Sequence, residues 1–221
     1  MKSQKKLTPA AISDGMNAAA RNAKDLVEDA KVLLDNGRYS RALALAILSI
    51  EESGKISVLR GLATATSESE LKEQWKRFRS HRAKNVQWIL VDLGLKGARK
   101  LEDLKPIFDE DSDHPEVLDQ LKQASLYTDY SENGKWMEPN NVVDENLARN
   151  IVKVAGILCD KKQHTPQEIE LWIKHMAPVS DQPMAIQKTA LRAWFREMET
   201  VGLFREGAIS LDEFLGESNA L

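Results

Sequence analysis

Apolar residues recur every three or four positions along most of this chain. Ile12, Met16, Ala19, Ala23, Leu26, Ala30 and Leu33 form the first series and predict an amphipathic helix. Ser13 or Asp14 is placed to cap it, and Asn36-Gly37 to end it. The next stretch, Tyr39 to Gly61, starts almost wholly apolar and then carries Glu51, Glu52 and Lys55 without a break. Such a helix is buried on most sides. Charges there are costly unless paired or put to use. The short connecting loop folds this helix back antiparallel on the first.

A third helix is predicted from the capping pair Ser67 and Glu70 to about Leu95, with Trp75, Phe78, Val86, Ile89 and Leu93 as its apolar stripe. Pro106 and Pro115 then divide a short helix, an acidic loop at Asp109–Asp113 and a new helix carrying Leu118, Leu121 and Leu126. Asn133-Gly134 marks a turn. Asp144 caps a further helix, and Thr165-Pro166-Gln167-Glu168 opens another; two helices are expected at roughly 166–177 and 184–201. No stretch alternates like a strand. The fold class is all-α: an antiparallel bundle over 1–163 with a C-terminal helical extension, 164–221, packed on it. Within the extension VGLFREGAIS faintly suggests a helix-turn-helix or winged module, packed helices being the default.

With 221 residues, 42% hydrophobic and 29% charged, the composition suits a soluble globular chain. The net charge of -3 excludes a bulk polycation, so a nucleic-acid role needs a local patch. The third helix offers one: Lys76, Arg77, Arg79 and Arg82 beside Trp75 could contact an RNA backbone, or form a solvated face answered by the acidic loop. Tyr127, Asp129, Tyr130 and Trp136 could stack bases or cover the end of the core. The single Cys159 excludes an intramolecular disulfide and reads as a small core residue. The longest apolar run, Ala42 to Ile50, is too short to span a bilayer, and a cytoplasmic location is expected. The four histidines make no HxxxH or CxxC pair, and no cofactor or metal is expected.

The chemistry worth testing lies in two places. Glu51 and Lys55 stand four apart and are expected to pair, while Glu52 lies on the core-facing line with Leu45, Leu48, Ile56 and Leu59. Phe78, His81, Lys84 and Trp88 share one face of the third helix. A histidine beside carboxylates can transfer protons, and a lysine can bind phosphate. The candidate catalytic set is therefore His81, Lys84, Glu52 and Lys55; a histidine merely hydrogen-bonded to Glu52 is the alternative.

The runs GRYSRALALAILSIEESGK, FRSHRAKN and KQASLYTDYSENGKWMEPNNV, in this order, resemble the AbiV family of bacterial abortive-infection proteins, placed among HEPN-type helical domains. The resemblance implies a HEPN-like bundle, a homodimer and a phage-defence toxin acting on RNA or the translation machinery. HEPN relatives are often metal-independent endoribonucleases that use an arginine followed, after four to six residues, by a histidine. Here Arg77 and Arg79 stand too near His81, and Lys76 has the spacing without the residue type. Positions matching the family are Glu51, Glu52, Gly54, Lys55, His81, Lys84, Tyr127, Asp129, Trp136 and Pro139. The expected partners are a second copy, RNA or a ribosome-associated target, or a phage protein, and no membrane. The other reading is a non-enzymatic interaction protein that senses a phage product or sequesters a host factor.

Overall fold

The computed structural model describes residues 5–107, 113–131, 133–159, 162–203 and 211–215. Two long antiparallel helices, α1 (Pro9–Asp35) and α2 (Tyr39–Thr64), form its centre. Gly37, at φ +68°, makes the left-handed turn between them. Helix α1 starts earlier than Ser13: Thr8 Oγ1 accepts the Ala11 N–H at 3.2 Å, and Pro9 fits the first turn. Ser13 instead turns its hydroxyl back to the Ala10 carbonyl. Small residues such as Ala23, Ala30, Ala42 and Ala46 are fully buried and let the two backbones approach closely.

Ser67 and Glu70 form the expected cap at the start of α3 (Glu68–Arg79). The helix does not run on to Leu95. Ser80 is extended (φ −80°, ψ 127°), and its hydroxyl accepts the Ala83 N–H at 3.3 Å. A serine that satisfies backbone donors in this way ends one helix and caps the next. The chain then forms α4 (His81–Lys84), a 3₁₀ turn (Asn85–Gln87) and α5 (Leu90–Leu95). The single face expected for Phe78, His81, Lys84 and Trp88 is therefore broken.

A 3₁₀ segment with Pro106 inside (Leu101–Ile107) precedes α6 (His114–Leu126). A hairpin of two-residue strands follows, β1 (Asp129–Tyr130) and β2 (Trp136–Met137), which the lack of alternation in so short a stretch hid. Next come α7 (Pro139–Val142) and α8 (Glu145–Leu158), the latter capped by Asp144 as expected. Leu118 of α6 and Val152 and Ala155 of α8 pack with Ile47 and Ile50 of α2 in the main core.

Helix α9 (Pro166–Met176) lays Ile169 against Ile12, Met16 and Leu59 in a second core, which Trp75 and Phe78 of α3 join. Helix α10 (Met184–Thr200) packs Trp194 and Met198 with Leu171 of α9, and α11 (Leu211–Phe214) follows. The fold is all-α apart from the small hairpin. The acidic loop before Asp113, and VGLFREGAIS from Phe204 onward, lie outside the described residues. Among the described residues no helix is long and apolar enough to cross a membrane.

Candidate functional site

Gly54 decides how α2 meets α4. A Cβ built at Gly54 would lie 2.0 Å from the Lys84 carbonyl oxygen. Only glycine permits that backbone contact. It places His81 and Lys84 across the polar segment of α2, one turn from Glu51.

Glu51 is the hub of the site, not Glu52. The residue is 3% exposed, yet both carboxylate oxygens are used. His81 donates its Nδ1–H to Oε2 at 2.7 Å, and Lys122 donates to Oε1 at 2.5 Å. An ionised carboxylate can only accept, so Glu51 selects the histidine tautomer with its proton on Nδ1. The His81 side chain is 58% exposed, so the ring reaches solvent from a buried anchor.

Lys122 is buried and also contacts Asp119 at 2.7 Å. Burial works against its charge, but hydrogen bonds to Asp119 and Glu51 outweigh that and hold its pKa above the ordinary lysine value. Lys84 shows the opposite balance. It is 7% exposed, and burial pushes its pKa below the ordinary value although the Glu51 charge opposes the shift. Lys84 also feels Lys55, Glu52 and Lys122, so these charges form one electrostatic group.

The pairing within α2 differs from expectation. Lys55 bonds Glu52 at 2.5 Å across three residues, and its ammonium lies 5.6 Å from the centre of the Phe78 ring. Glu51 faces inward to α4 and α6, which leaves Lys55 for Glu52. Of the four expected site residues, His81 contacts Glu51 and Lys84 feels the charges of Glu51 and Lys122, while Lys55 is held by Glu52. Glu52 stays at the margin as the partner of Lys55.

The expected RNA-binding residues fall in two places. Lys76, Arg77, Arg79 and Arg82 are exposed on α3 and α4, with Lys76 3.9 Å from Glu73 and Arg82 2.8 Å from Glu116. Tyr127, Tyr130 and Trp136 do not cover the core. They are 61%, 58% and 70% exposed, and Tyr130 and Trp136 meet edge to face at 5.1 Å. A groove of about 570 Å³ beside them is lined by Glu116, Asp119 and Asp129 with Tyr127 and Met137. Cys159 is half-buried at the end of α8, with Sγ 3.6 Å from Ser49 Oγ. Among the described residues no group of three or more histidine, cysteine or carboxylate side chains is arranged to hold a metal.

A sequence model of the AbiV family of HEPN domains matches residues 11–160. The chain belongs to the AbiV family. The matched segment is 150 of 221 residues and holds α1 to α8, hence Glu51, Gly54, His81, Lys84, Lys122 and the hairpin. Membership places the chain among HEPN-type abortive-infection proteins. No curated protein and no solved structure matches it.

Beyond the AbiV segment, α9 is tied in by a second buried charge cluster that sequence reasoning did not anticipate. Glu168 is 1% exposed and meets Arg60 at 3.0 Å, His164 at 3.2 Å and Lys162 at 3.3 Å. Burial raises its pKa, but the His164 hydrogen bond and the charges of Lys162, His164 and Arg60 prevail and hold it below the ordinary value. In the sequence Glu168 reads as a cap residue, because its partner Arg60 stands 108 positions away. Lys122 left one sequence signal, a lysine four residues after Leu118 on an apolar helical stripe.

Proposed function

We propose that this chain is an antiphage abortive-infection effector whose Glu51–His81 site cleaves RNA without a metal, and that it works as a toxin in the cytoplasm as a homodimer. The observation that carries this reading is the buried Glu51 carboxylate holding Nδ1 of an exposed His81. The arrangement leaves Nε2 facing solvent, the geometry of a general base oriented by a carboxylate.

In the reaction, Nε2 of His81 accepts the proton of a ribose 2′-hydroxyl. That oxygen attacks the adjacent phosphorus, and the bond from phosphorus to the 5′-oxygen breaks. The leaving 5′-oxygen takes a proton from water, His81 returns the proton it accepted to solvent, and the products are a 2′,3′-cyclic phosphate and a 5′-hydroxyl end. Lys55, the more exposed of the site lysines, stabilises the phosphorane, while buried Lys84 and Lys122 supply positive field behind Glu51. Lys76, Arg77, Arg79 and Arg82 guide the strand by its phosphates, and Tyr130 and Trp136 offer faces for bases. The HEPN-like unit ends near residue 163, and α9 and α10 are an extension packed on it.

To test the reading, purified wild type and His81→Ala are incubated with cellular RNA in EDTA. Cleavage by wild type alone supports it. Equal cleavage by both sinks it.

A second reading has its own observation. The groove beside Tyr127 and Met137 is lined by carboxylates, which repel phosphate and attract cationic protein segments. On that reading the chain is a non-enzymatic interaction protein that senses a phage protein or sequesters a host factor. Defence retained by a folded His81→Ala, Lys84→Ala double variant would favour it.

A further inference from the structure

A groove of about 550 Å³ runs between α1 and the end of α8, on a face that neither Glu51 nor His81 lines. Arg21, Lys24, Glu28 and Lys31 of α1 edge it, and Ala20, Val27 and Gly156 form its floor. Among the described residues no aromatic side chain lines it.

The four edge residues follow one another at three, four and three positions, so they share one stripe of α1. The stripe reads plus, plus, minus, plus over about 15 Å. All four are exposed. Lys24 and Glu28 stand 3.7 Å apart with side chains 67% and 57% exposed, a pairing too solvated to tie up either charge.

Gly156 is a second and independent observation. It lies in the last turn of α8, and its φ is not positive. A Cβ built there meets nothing within 4 Å. Neither a turn nor the packing of this chain calls for glycine, which weakens a helix relative to alanine. What glycine supplies is bare backbone on the groove floor, open to close approach. Beside Gly156 and Lys31 in the sequence, Ile157 and Val32 are 57% and 61% exposed.

A uniform polyanion would meet Glu28 in the middle of the stripe and find no aromatic face for a base. A helix of mixed charge can answer both signs. Its same-face residues recur at about 4.5–6 Å, as those of the stripe do, whereas same-face residues of a strand recur at about 6.6 Å. We infer that the groove docks an acidic helix of a partner protein. Its carboxylates meet Arg21, Lys24 and Lys31, one basic residue meets Glu28, and its small or aliphatic side chains lie on the bare floor at Gly156. The proposal rests neither on RNA cleavage nor on the carboxylate-lined groove beside Tyr127.

The test uses a library of helical peptides, randomised along one face, displayed on yeast and selected on the immobilised full chain. The enriched peptide is then synthesised and titrated against wild type and variants. Enriched sequences carry Asp or Glu at three positions and Lys or Arg at a fourth, spaced as the stripe is. Affinity falls about tenfold or more in the triple variant Arg21→Glu, Lys24→Glu, Lys31→Glu. It falls also in Gly156→Leu, whose Tm does not drop, because the added side chain enters open space. Enrichment of sequences without acidic residues, or no enrichment, overturns the inference. So does binding undiminished in the triple variant or in Gly156→Leu. Polyuridylate RNA that displaces the peptide and binds the groove more tightly overturns it in favour of a nucleic acid. A wild-type dimer that the triple variant turns into a monomer in sedimentation overturns it in favour of a second copy.

Discussion

Glu51→Gln removes one charge from a buried group and keeps its shape. Glu51 is 3% exposed and its partner Lys122 is 4% exposed, so water cannot replace the lost carboxylate. Breaking a buried ion pair by deleting one member costs about 3–5 kcal/mol. Lys122 retains Asp119 at 2.7 Å, which sets the expected loss at the low end, about 3 kcal/mol. For a chain of this size that lowers Tm by about 6–12 °C. The double variant Glu51→Met, Lys122→Met replaces the pair by apolar groups of similar length and leaves no uncompensated charge between them. It is expected to lose less than the sum of the two singles, because the pair itself leaves no lone charge, although Asp119 and Lys84 still lose an opposite neighbour. Thermal unfolding of the wild type, both single variants and the double variant forms the assay. The reasoning is refuted if Glu51→Gln leaves Tm unchanged, or if the double variant loses the sum of the two singles. Either result would mean that the contact is not desolvated as its burial implies.

The remaining predictions concern neighbouring features. Gly54→Ala drives a methyl into the Lys84 carbonyl and should cost about 3 kcal/mol or more, read as a fall in Tm together with loss of any RNA cleavage. Lys84→Met should raise Tm at neutral pH by removing a desolvated ammonium, while lowering cleavage; the two opposite signs, in melting and in activity, are the check. Glu168 titrates below its ordinary value when folded, so its stabilisation is complete above the unfolded carboxylate range and is lost as pH falls through the lowered folded value. Glu168→Gln should therefore cost about 3 kcal/mol at pH 7 and progressively less in acid, seen in denaturant melts across the pH series.

Much of the helical frame was legible because it is local. Apolar periodicity gave α1 and α2, and the caps at Ser67, Asp144 and Thr165 form as their residue types require. The break at Ser80 was not legible, since serine fits a helix interior and a cap alike, and the apolar stripe continued past it. The site was half legible. His81, Lys84 and Lys55 could be drawn from charge placed on apolar helices. The choice between Glu51 and Glu52 turns on about 100° of helix rotation, which depends on Gly54 admitting the Lys84 backbone. Lys122 and the Arg60–Glu168 contact link residues 71 and 108 positions from their partners, and short-range spacing carries no record of such pairs.

The most direct test of the cleavage proposed for the Glu51–His81 site is the chemistry of the RNA ends. RNA treated with the purified wild-type chain in EDTA is analysed by mass spectrometry, with His81→Ala as the control. The account predicts 2′,3′-cyclic phosphate and 5′-hydroxyl ends from the wild type and none from His81→Ala. Fragments ending in 3′-hydroxyl and 5′-phosphate, or the same cyclic ends from His81→Ala, would contradict it.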